Sequence, residues 1–202
     1  MQNEQNPEEE NAVAEVYFQV GAASAPSSGK SLFEMMETPD ADRIVFSYDF
    51  SGVNHAGGQD VQGHGSNVAS IIGSQNATYT GMAPGVNIVS LKVFSDNGNG
   101  DTTDIAEALD WVVAHSAAYK IVSVNMSLGY GVNDTTPTPS DFASQFASLT
   151  AAGVAIAAAS GNDYYQFQAP GVDSPSSDPN AWSIGAVWDR NAGSFNYGGG
   201  AA

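Results

Sequence analysis

Residues 86–126, VNIVSLKVFSDNGNGDTTDIAEALDWVVAHSAAYKIVSVNM, contain a predicted strand, a predicted helix and a second predicted strand in close succession. Apolar and β-branched residues dominate 86–94 and 121–126, as they do in strands buried on both faces. Between them Ile105, Leu109 and Val112 recur at helical spacing, which predicts a helix over residues 103–118. Strands joined by a crossover helix are the repeating unit of a parallel sheet.

The same alternation continues on both sides of this unit. A helix is predicted from His64 to residue 72, with Val68, Ile71 and Ile72 on its apolar face. The sequence therefore predicts an α/β fold, a three-layer sandwich with a mostly parallel central sheet. The further predicted strands are 13–20 (VAEVYFQV), 44–48 (IVFSY), 154–159 (VAIAAA) and 183–187 (SIGAV).

Another helix is predicted before the strand at 154–159. Thr138 suits its N-cap, Pro139 its first position and Asp141 a capping-box partner. Gly153 is predicted to end it. The expected buried face consists of Phe142, Phe146 and Leu149.

Composition excludes several classes of function. The chain has 202 residues, enough for one domain, and a formal charge of -17. Such a surface repels nucleic acid and anionic lipid, so neither a nucleic acid nor a membrane is an expected partner. The absence of cysteine excludes disulfides, zinc–thiolate sites and cysteine nucleophiles. Residues 1–10 are polar and acidic, unlike a signal peptide.

Candidate functional residues lie where predicted strands end or predicted helices begin. His64, between Gly63 and Gly65, is suited to act as a general base, or it is a structural histidine. Asn162 follows a buried strand, where its amide could donate to an oxyanion or simply form a turn. Residues 127–129 follow another strand and could pair with an extended peptide, or form only a strand end.

Four motifs occur in a fixed order. They are Gly-His-Gly-Ser-x-Val-Ala (63–69), Met-Ala-Pro-Gly (82–85), Asn-Met-Ser-Leu-Gly (125–129) and Ala-Ala-Ser-Gly-Asn (158–162). With them, residues 37–190 strongly resemble the subtilisin-like serine protease family (subtilases, peptidase S8). The stretch RIVFSYDF before the histidine and the proline-containing turn in DSPSSDPNAWSIGAV are also similar. The resemblance implies a subtilisin-like domain over residues 37–202, with 1–36 as a disordered or irregular lead-in.

The resemblance also implies roles for individual residues. His64 would be the general base, and the Asn162 side chain would donate to the tetrahedral oxyanion. The substrate would be a polypeptide, and the small residues lining the primary specificity pocket would leave a roomy, apolar space for a large hydrophobic side chain. One wall of that pocket would be Ser127, Leu128 and Gly129, and the other Ala158, Ala159, Ser160 and Gly161.

Two members of the expected Asp-His-Ser triad have no clear counterpart. No Gly-Thr-Ser motif follows the strand at 183–187, and the setting of Ser194 does not match it. Ser27 stands where an Asp-Ser/Thr-Gly motif would begin, and Asp49 is a weak alternative for the acid. We therefore expect an incomplete catalytic domain with its C-terminal part missing. Such a chain would be inactive and poorly soluble alone, with its last strands exposing apolar surface. The alternative is a non-catalytic pseudoprotease or peptide-binding module.

Cofactors and location rest on the family. No cofactor is required, while a structural calcium ion would find candidate ligands in Asp96, Asp101 and Asp104, unless these form only an acidic surface loop. Family members are usually secreted, which predicts an extracellular protein. A nucleotide-binding domain is disfavoured, because neither GxGxxG nor GxxxxGK[ST] occurs. The sequence does not predict an oligomeric state.

Overall fold

The computed structural model describes residues 14–19, 43–52, 60–187, 196–197 and 200–201. The helices are α1 (His64–Gly73), α2 (Thr102–His115), α3 (Ala143–Ala151) and α4 (Tyr164–Phe167). The strands are β1 (Ala14–Gln19), β2 (Ile44–Asp49), β3 (Asn87–Lys92), β4 (Ile121–Met126), β5 (Tyr130–Asp134), β6 (Ala155–Ala159), β7 (Val172–Ser174), β8 (Trp182–Ile184), β9 (Asn196–Tyr197) and β10 (Gly200–Ala201).

Six strands form one sheet in the order β2-β3-β1-β4-β6-β8, and every neighbouring pair is parallel. The predicted parallel sheet is confirmed. The domain boundary needs correction, because residues 14–19 form a central strand of the sheet rather than part of a lead-in. The rest of the predicted lead-in lies outside the described residues. The antiparallel pair of β5 and β7 was not predicted, because both strands are short and polar.

Helices cover both faces of the sheet. Successive strand residues point to opposite faces, so Val89 and Ile88 enter different layers. Val89 belongs to the main core, which also holds Leu109 of α2 and Phe146 of α3. Ile88 instead packs with Ala69 of α1 in a smaller cluster. The predicted three-layer arrangement is therefore confirmed.

Helix α1 faces the sheet through small residues. Its buried positions are Gly65, Ser66, Ala69 and Gly73, whereas Ile71 is 60% exposed. The predicted apolar face is therefore wrong at Ile71. Side chains this small let the helix approach the sheet closely, which hydrophobicity alone does not reveal.

Helix α3 begins later than its capping residues predict. The predicted cap, Thr138, instead donates to the carbonyl of Thr136. Asp178 accepts hydrogen bonds from the backbone and hydroxyl of Ser140, whose Oγ accepts from the Phe142 N–H. This long-range contact holds residues 138–142 outside the helix. The predicted face is confirmed, with Phe142, Phe146 and Leu149 buried.

The edge strand β8 presents apolar side chains to solvent. Trp182 is 68% and Ile184 50% exposed, and Val187 beyond the strand is 88% exposed. This agrees with the predicted apolar surface at the last strands, while the solubility of the chain stays a prediction. In the described part of the chain, no helix has both the length and the hydropathy needed to cross a membrane.

Candidate active site

Asp60 fixes the start of the helix that carries His64. Its Oδ1 accepts from the Gly63 N–H at 2.9 Å, and its Oδ2 accepts from the N–H and the hydroxyl of Ser66, each at 2.7 Å. The first N–H groups of a helix have no partner within it, so a carboxylate here satisfies donors and favours the positive end of the helix dipole. Sequence reasoning missed Asp60, although an aspartate just before a predicted helix is a capping signal.

His64 at the start of α1 contacts the segment that follows β4. Its Nε2 lies 3.4 Å from the carbonyl oxygen of Ser127, just beyond the carboxyl end of β4. At this length the contact is weak, so the ring remains available to another partner. The described structure thus brings the N-terminus of α1 and the carboxyl end of β4 together. The other described histidine, His115, stacks on Trp111 at 4.3 Å, a structural role.

The two predicted pocket walls lie side by side. Met126 of β4 pairs with Ala158 of β6, and Ala159 ends β6, so residues 127–129 and 160–161 follow the two neighbouring strands. The side chains of Leu128 and Ala158 belong to the main core. These two residues therefore offer only their backbone to a ligand, which suits pairing with an extended peptide.

Asn162 follows a glycine whose backbone conformation other residues rarely adopt. Gly161 has φ +97°, a region that favours glycine. Asn162 is exposed beyond this turn and borders a cleft of about 260 Å³. The cleft is lined by Asn133, Ser160, Gly161, Asn162, Asp163, Tyr164, Gly171, Val172 and Asp173. A larger cavity of about 570 Å³ beyond β5 and β7 contains neither His64 nor Asn162.

Asp173 of β7 occupies the space between the two walls. A Cβ on Gly161 would lie 2.2 Å from the Asp173 Cγ, and one on Gly129 would lie 3.1 Å from its Oδ2. Only 7% of Asp173 is exposed. Burial, with a smaller contribution from the charge of Asp163, raises the pKa of Asp173 to about 6. The predicted apolar pocket is therefore wrong, because an acidic group lies between its walls.

Comparisons with known proteins agree with this arrangement. Residues 31–200 match the subtilase family, Peptidase_S8. The chain belongs to the subtilase family. Among curated relatives, a subtilisin-like protease of Coccidioides posadasii is 32% identical over 73% of this chain and 36% of its own length. Subtilisin Savinase of Lederbergia lenta is 33% identical over 70% of this chain and 49% of its own length.

Other subtilases match to a similar degree. The thermophilic serine proteinase of Bacillus sp. (strain AK1) is 32% identical over 79% of this chain and 38% of its own length. The chain thus spans less than half the length of each of these three relatives. Within the described residues, Ser127 and the Asn162 turn follow the carboxyl ends of the neighbouring strands β4 and β6, and His64 at the start of α1 contacts Ser127.

Asp49, the weak alternative for the triad acid, lies on the far side of the sheet from β4. It ends the edge strand β2, three strands from β4 in the sheet order, which corresponds to about 14 Å at about 4.8 Å per strand. Its carboxylate accepts from the N–H of Ser51 at 2.9 Å and lies 3.4 Å from the Lys92 ammonium. Within the described residues, the partners of the Asp49 carboxylate are Ser51 and Lys92, so the structure gives no support to the weak alternative that assigned the acid to Asp49.

The strand beside the histidine ends in an amide residue. β1 lies between β3 and β4, and Tyr17 pairs with Asn125. Continuing this register by two residues places the backbone of Gln19 alongside Ser127, whose carbonyl contacts His64. A subtilase acid is expected at the end of such a strand, and this strand ends in glutamine. Among the described residues, none takes the place of the triad acid.

The three predicted calcium ligands have separate roles. Asp96 pairs with Lys92 at 3.2 Å. The Asp101 carboxylate accepts from the Thr103 N–H and caps α2, and this hydrogen bond lowers its pKa. Burial, followed by nearby carboxylates, raises the pKa of Asp104. No group of three or more histidines and carboxylates within the described ranges is placed to hold a metal. Calcium binding stays a prediction.

Proposed function

We propose that this chain forms part of the catalytic domain of a serine endopeptidase that hydrolyses polypeptides by the Asp-His-Ser mechanism. The contact of His64 with the Ser127 carbonyl carries the proposal. It places an imidazole beside two backbone segments suited to hold an extended substrate. Family membership supports the same reaction class.

The proposed roles follow from position. The substrate backbone would pair with residues 127–129, holding the peptide beside His64. The imidazole would take the proton of the attacking serine hydroxyl and return it to the leaving amine. The exposed Asn162 amide would donate to the oxyanion, a contribution of about 10²–10³-fold in turnover for the corresponding donor in subtilisin. The serine and the acid remain unassigned.

An extracellular location forms part of the proposal. One relative, the minor extracellular protease Epr of Bacillus subtilis, is 33% identical over 60% of this chain. Secretion of the present protein is inferred from such relatives. Polypeptides are the proposed partners.

The first test is to sequence the DNA on both sides of this coding region and to express the complete reading frame. We expect a continuation with a Gly-Thr-Ser segment, and hydrolysis of a peptide amide that His64→Ala reduces by at least about 10⁴-fold. Asn162→Ala should reduce turnover by about 10²-fold or more. His115→Ala is the matched control, because that ring lies in the aromatic cluster away from the cleft.

If the complete protein has no such serine and hydrolyses no peptide, the endopeptidase proposal fails. Peptide binding without cleavage, which uses the same two walls, would then be the remaining function.

A further inference from the structure

We propose that Asp173 selects a cationic side chain, arginine or lysine, at the position of the bound peptide that enters between the two walls. In a substrate this would be the residue before the cleaved bond. The inference rests on the proposed function, because it assumes that a peptide binds along residues 127–129. It reverses the expectation of an apolar pocket.

The first support is the placement of the carboxylate. It is close to both glycines, 2.2 Å (Cγ) from the position of a Cβ on Gly161 and 3.1 Å (Oδ2) from that of a Cβ on Gly129, so it lies between the two walls. The backbone of Asp173 is held on both sides. Its N–H donates to the Ser160 carbonyl at 3.0 Å, and its carbonyl accepts from the Ser177 N–H at 3.1 Å. The backbone from which the carboxylate projects is therefore fixed in position.

The second support is the absence of a partner. Within the described residues, no donor makes a hydrogen bond or ion pair with the Asp173 carboxylate, although 93% of the residue is buried. Other buried carboxylates of the chain are satisfied; Asp178, for example, accepts from Ser140 and Asn180. The Asp173 oxygens are not among the fully buried atoms without a partner, so they can be reached from the cleft, and a ligand donor there would supply the hydrogen bonds that the described residues do not.

The third support is the location of the chain's own cations. Among the described residues, Lys92 pairs with Asp49 and Asp96. Arg43 donates to the carbonyls of Gly73 and Val86, beside α1. Lys120 precedes β4 at the amino end of the sheet. None of these three described cations contacts the Asp173 carboxylate, so among the described residues no positive charge neutralises it.

The raised pKa of Asp173 agrees with a carboxylate that lacks a positive partner. Burial contributes most, and Asp163 adds to it. A ligand guanidinium would reverse both effects, since it supplies donors and an opposite charge to the ionised form. Guanidinium binding should therefore be favoured above about pH 6, where the carboxylate is ionised.

The test measures binding of two tetrapeptide amides to the 202-residue chain by fluorescence anisotropy. Both contain one arginine and one citrulline, its neutral analogue, and differ only in which of them is C-terminal. An arginine at the N-terminus has no residues before it that could pair with residues 127–129, so it can enter the pocket only if that pairing is lost. Because the two peptides have the same composition and charge, nonspecific attraction to the acidic chain, whose formal charge is -17, is the same for both.

We expect the peptide with C-terminal arginine to bind about tenfold or more tightly. Asp173→Asn should abolish this preference, whereas Asp110→Asn, the same charge change at an exposed site on α2, should retain it. Equal binding of the two peptides would overturn the inference but not the proposal that a peptide binds along residues 127–129. Failure of both peptides to bind would overturn that proposal and this inference together.

A measurement on the unmodified chain covers the case in which Asp173→Asn does not fold. Affinity for the C-terminal arginine peptide should rise by about tenfold from pH 5 to 7, as the carboxylate ionises. The titratable groups on the elements around Asp173 are Asp163 before α4, Asp134 on β5, which pairs with Val172, and His64, which contacts Ser127. The profile is repeated in His64→Gln, which removes any contribution of the imidazole beside Ser127. A profile that is flat in both proteins would overturn the inference.

Discussion

Asp60 and Asp173 are both buried aspartates, with 5% and 7% of their surface exposed, but their carboxylates have different surroundings. Asp60 accepts three hydrogen bonds from Gly63 and Ser66 and fixes the start of α1. Asp173 accepts none from the described residues and lies between two glycines. The comparison teaches that burial alone does not identify a functional carboxylate. A satisfied carboxylate stabilises the fold, and an unsatisfied one has capacity left for a ligand.

The largest expected effect tests how closely Asp173 approaches Gly161. Gly161→Ala would place a methyl group 2.2 Å from the Asp173 Cγ in a backbone with φ +97°, so the carboxylate or the turn must move. We expect a loss of about 3 kcal/mol in the free energy of unfolding, measured by urea denaturation.

Gly153→Ala is the control for that variant. Gly153 has φ +81°, but no atom lies within 4 Å of the position that an alanine Cβ would take, so only backbone strain applies, about 1 kcal/mol. Equal losses in the two variants would contradict the close approach of Asp173 to the second wall.

The next largest effect concerns Asp60, whose carboxylate accepts three hydrogen bonds. Asp60→Ala leaves the N–H groups of Gly63 and Ser66 and the Ser66 hydroxyl without their acceptor, so we expect a loss of about 2 kcal/mol in the free energy of unfolding. Asp60→Asn keeps an acceptor oxygen and should lose less. A loss below about 0.5 kcal/mol in Asp60→Ala would show that this carboxylate does not hold the helix start.

The third prediction is a gain, rather than a loss, in the free energy of unfolding at neutral pH. The pKa of Asp173 is about 6 in the folded chain against a usual 3.8, so between these values the folded state holds a proton that the unfolded state releases. Its contribution to stability is present below about pH 4 and is lost as pH rises through 6. Relative to the unmodified chain, Asp173→Asn should therefore gain on the order of 2 kcal/mol between pH 4 and 7.

Urea denaturation of the two proteins at several pH values checks this expectation. Subtracting one curve from the other removes the titration of the remaining carboxylates. A difference that is constant from pH 4 to 7 would show that Asp173 has an ordinary pKa and does not differ from Asp60 in the expected way.

The smallest effect separates the two causes of the raised pKa. Asp163→Asn removes the charge that contributes less and leaves burial, the larger cause, in place. The pKa of Asp173, followed by carbon NMR of its carboxyl group, should fall but stay above 3.8. A fall to the usual value would make charge repulsion, rather than burial, the dominant cause.

The fold class and the two proposed catalytic residues, His64 and Asn162, could be predicted without the structure. Continuous apolar strands can be covered only by helices on both faces, so the alternation of elements predicted the parallel sheet. The motifs around His64 and Asn162 are local, and their order along the chain identified the family. Local signals also placed β4 and the buried face of α3 correctly.

The surroundings of these two residues could not be predicted, because they depend on contacts between distant segments. The start of α3 depends on Asp178, which lies 38 residues from Ser140 in the chain, and β1 enters the centre of the sheet although its sequence carries no family motif. The character of the pocket depends on Asp173, which meets Gly129 and Gly161 only when β7 packs beside the two walls. Hydrophobic periodicity reports which face of an element is buried. It does not report which distant side chain fills a gap, because that depends on contacts between segments far apart in the chain.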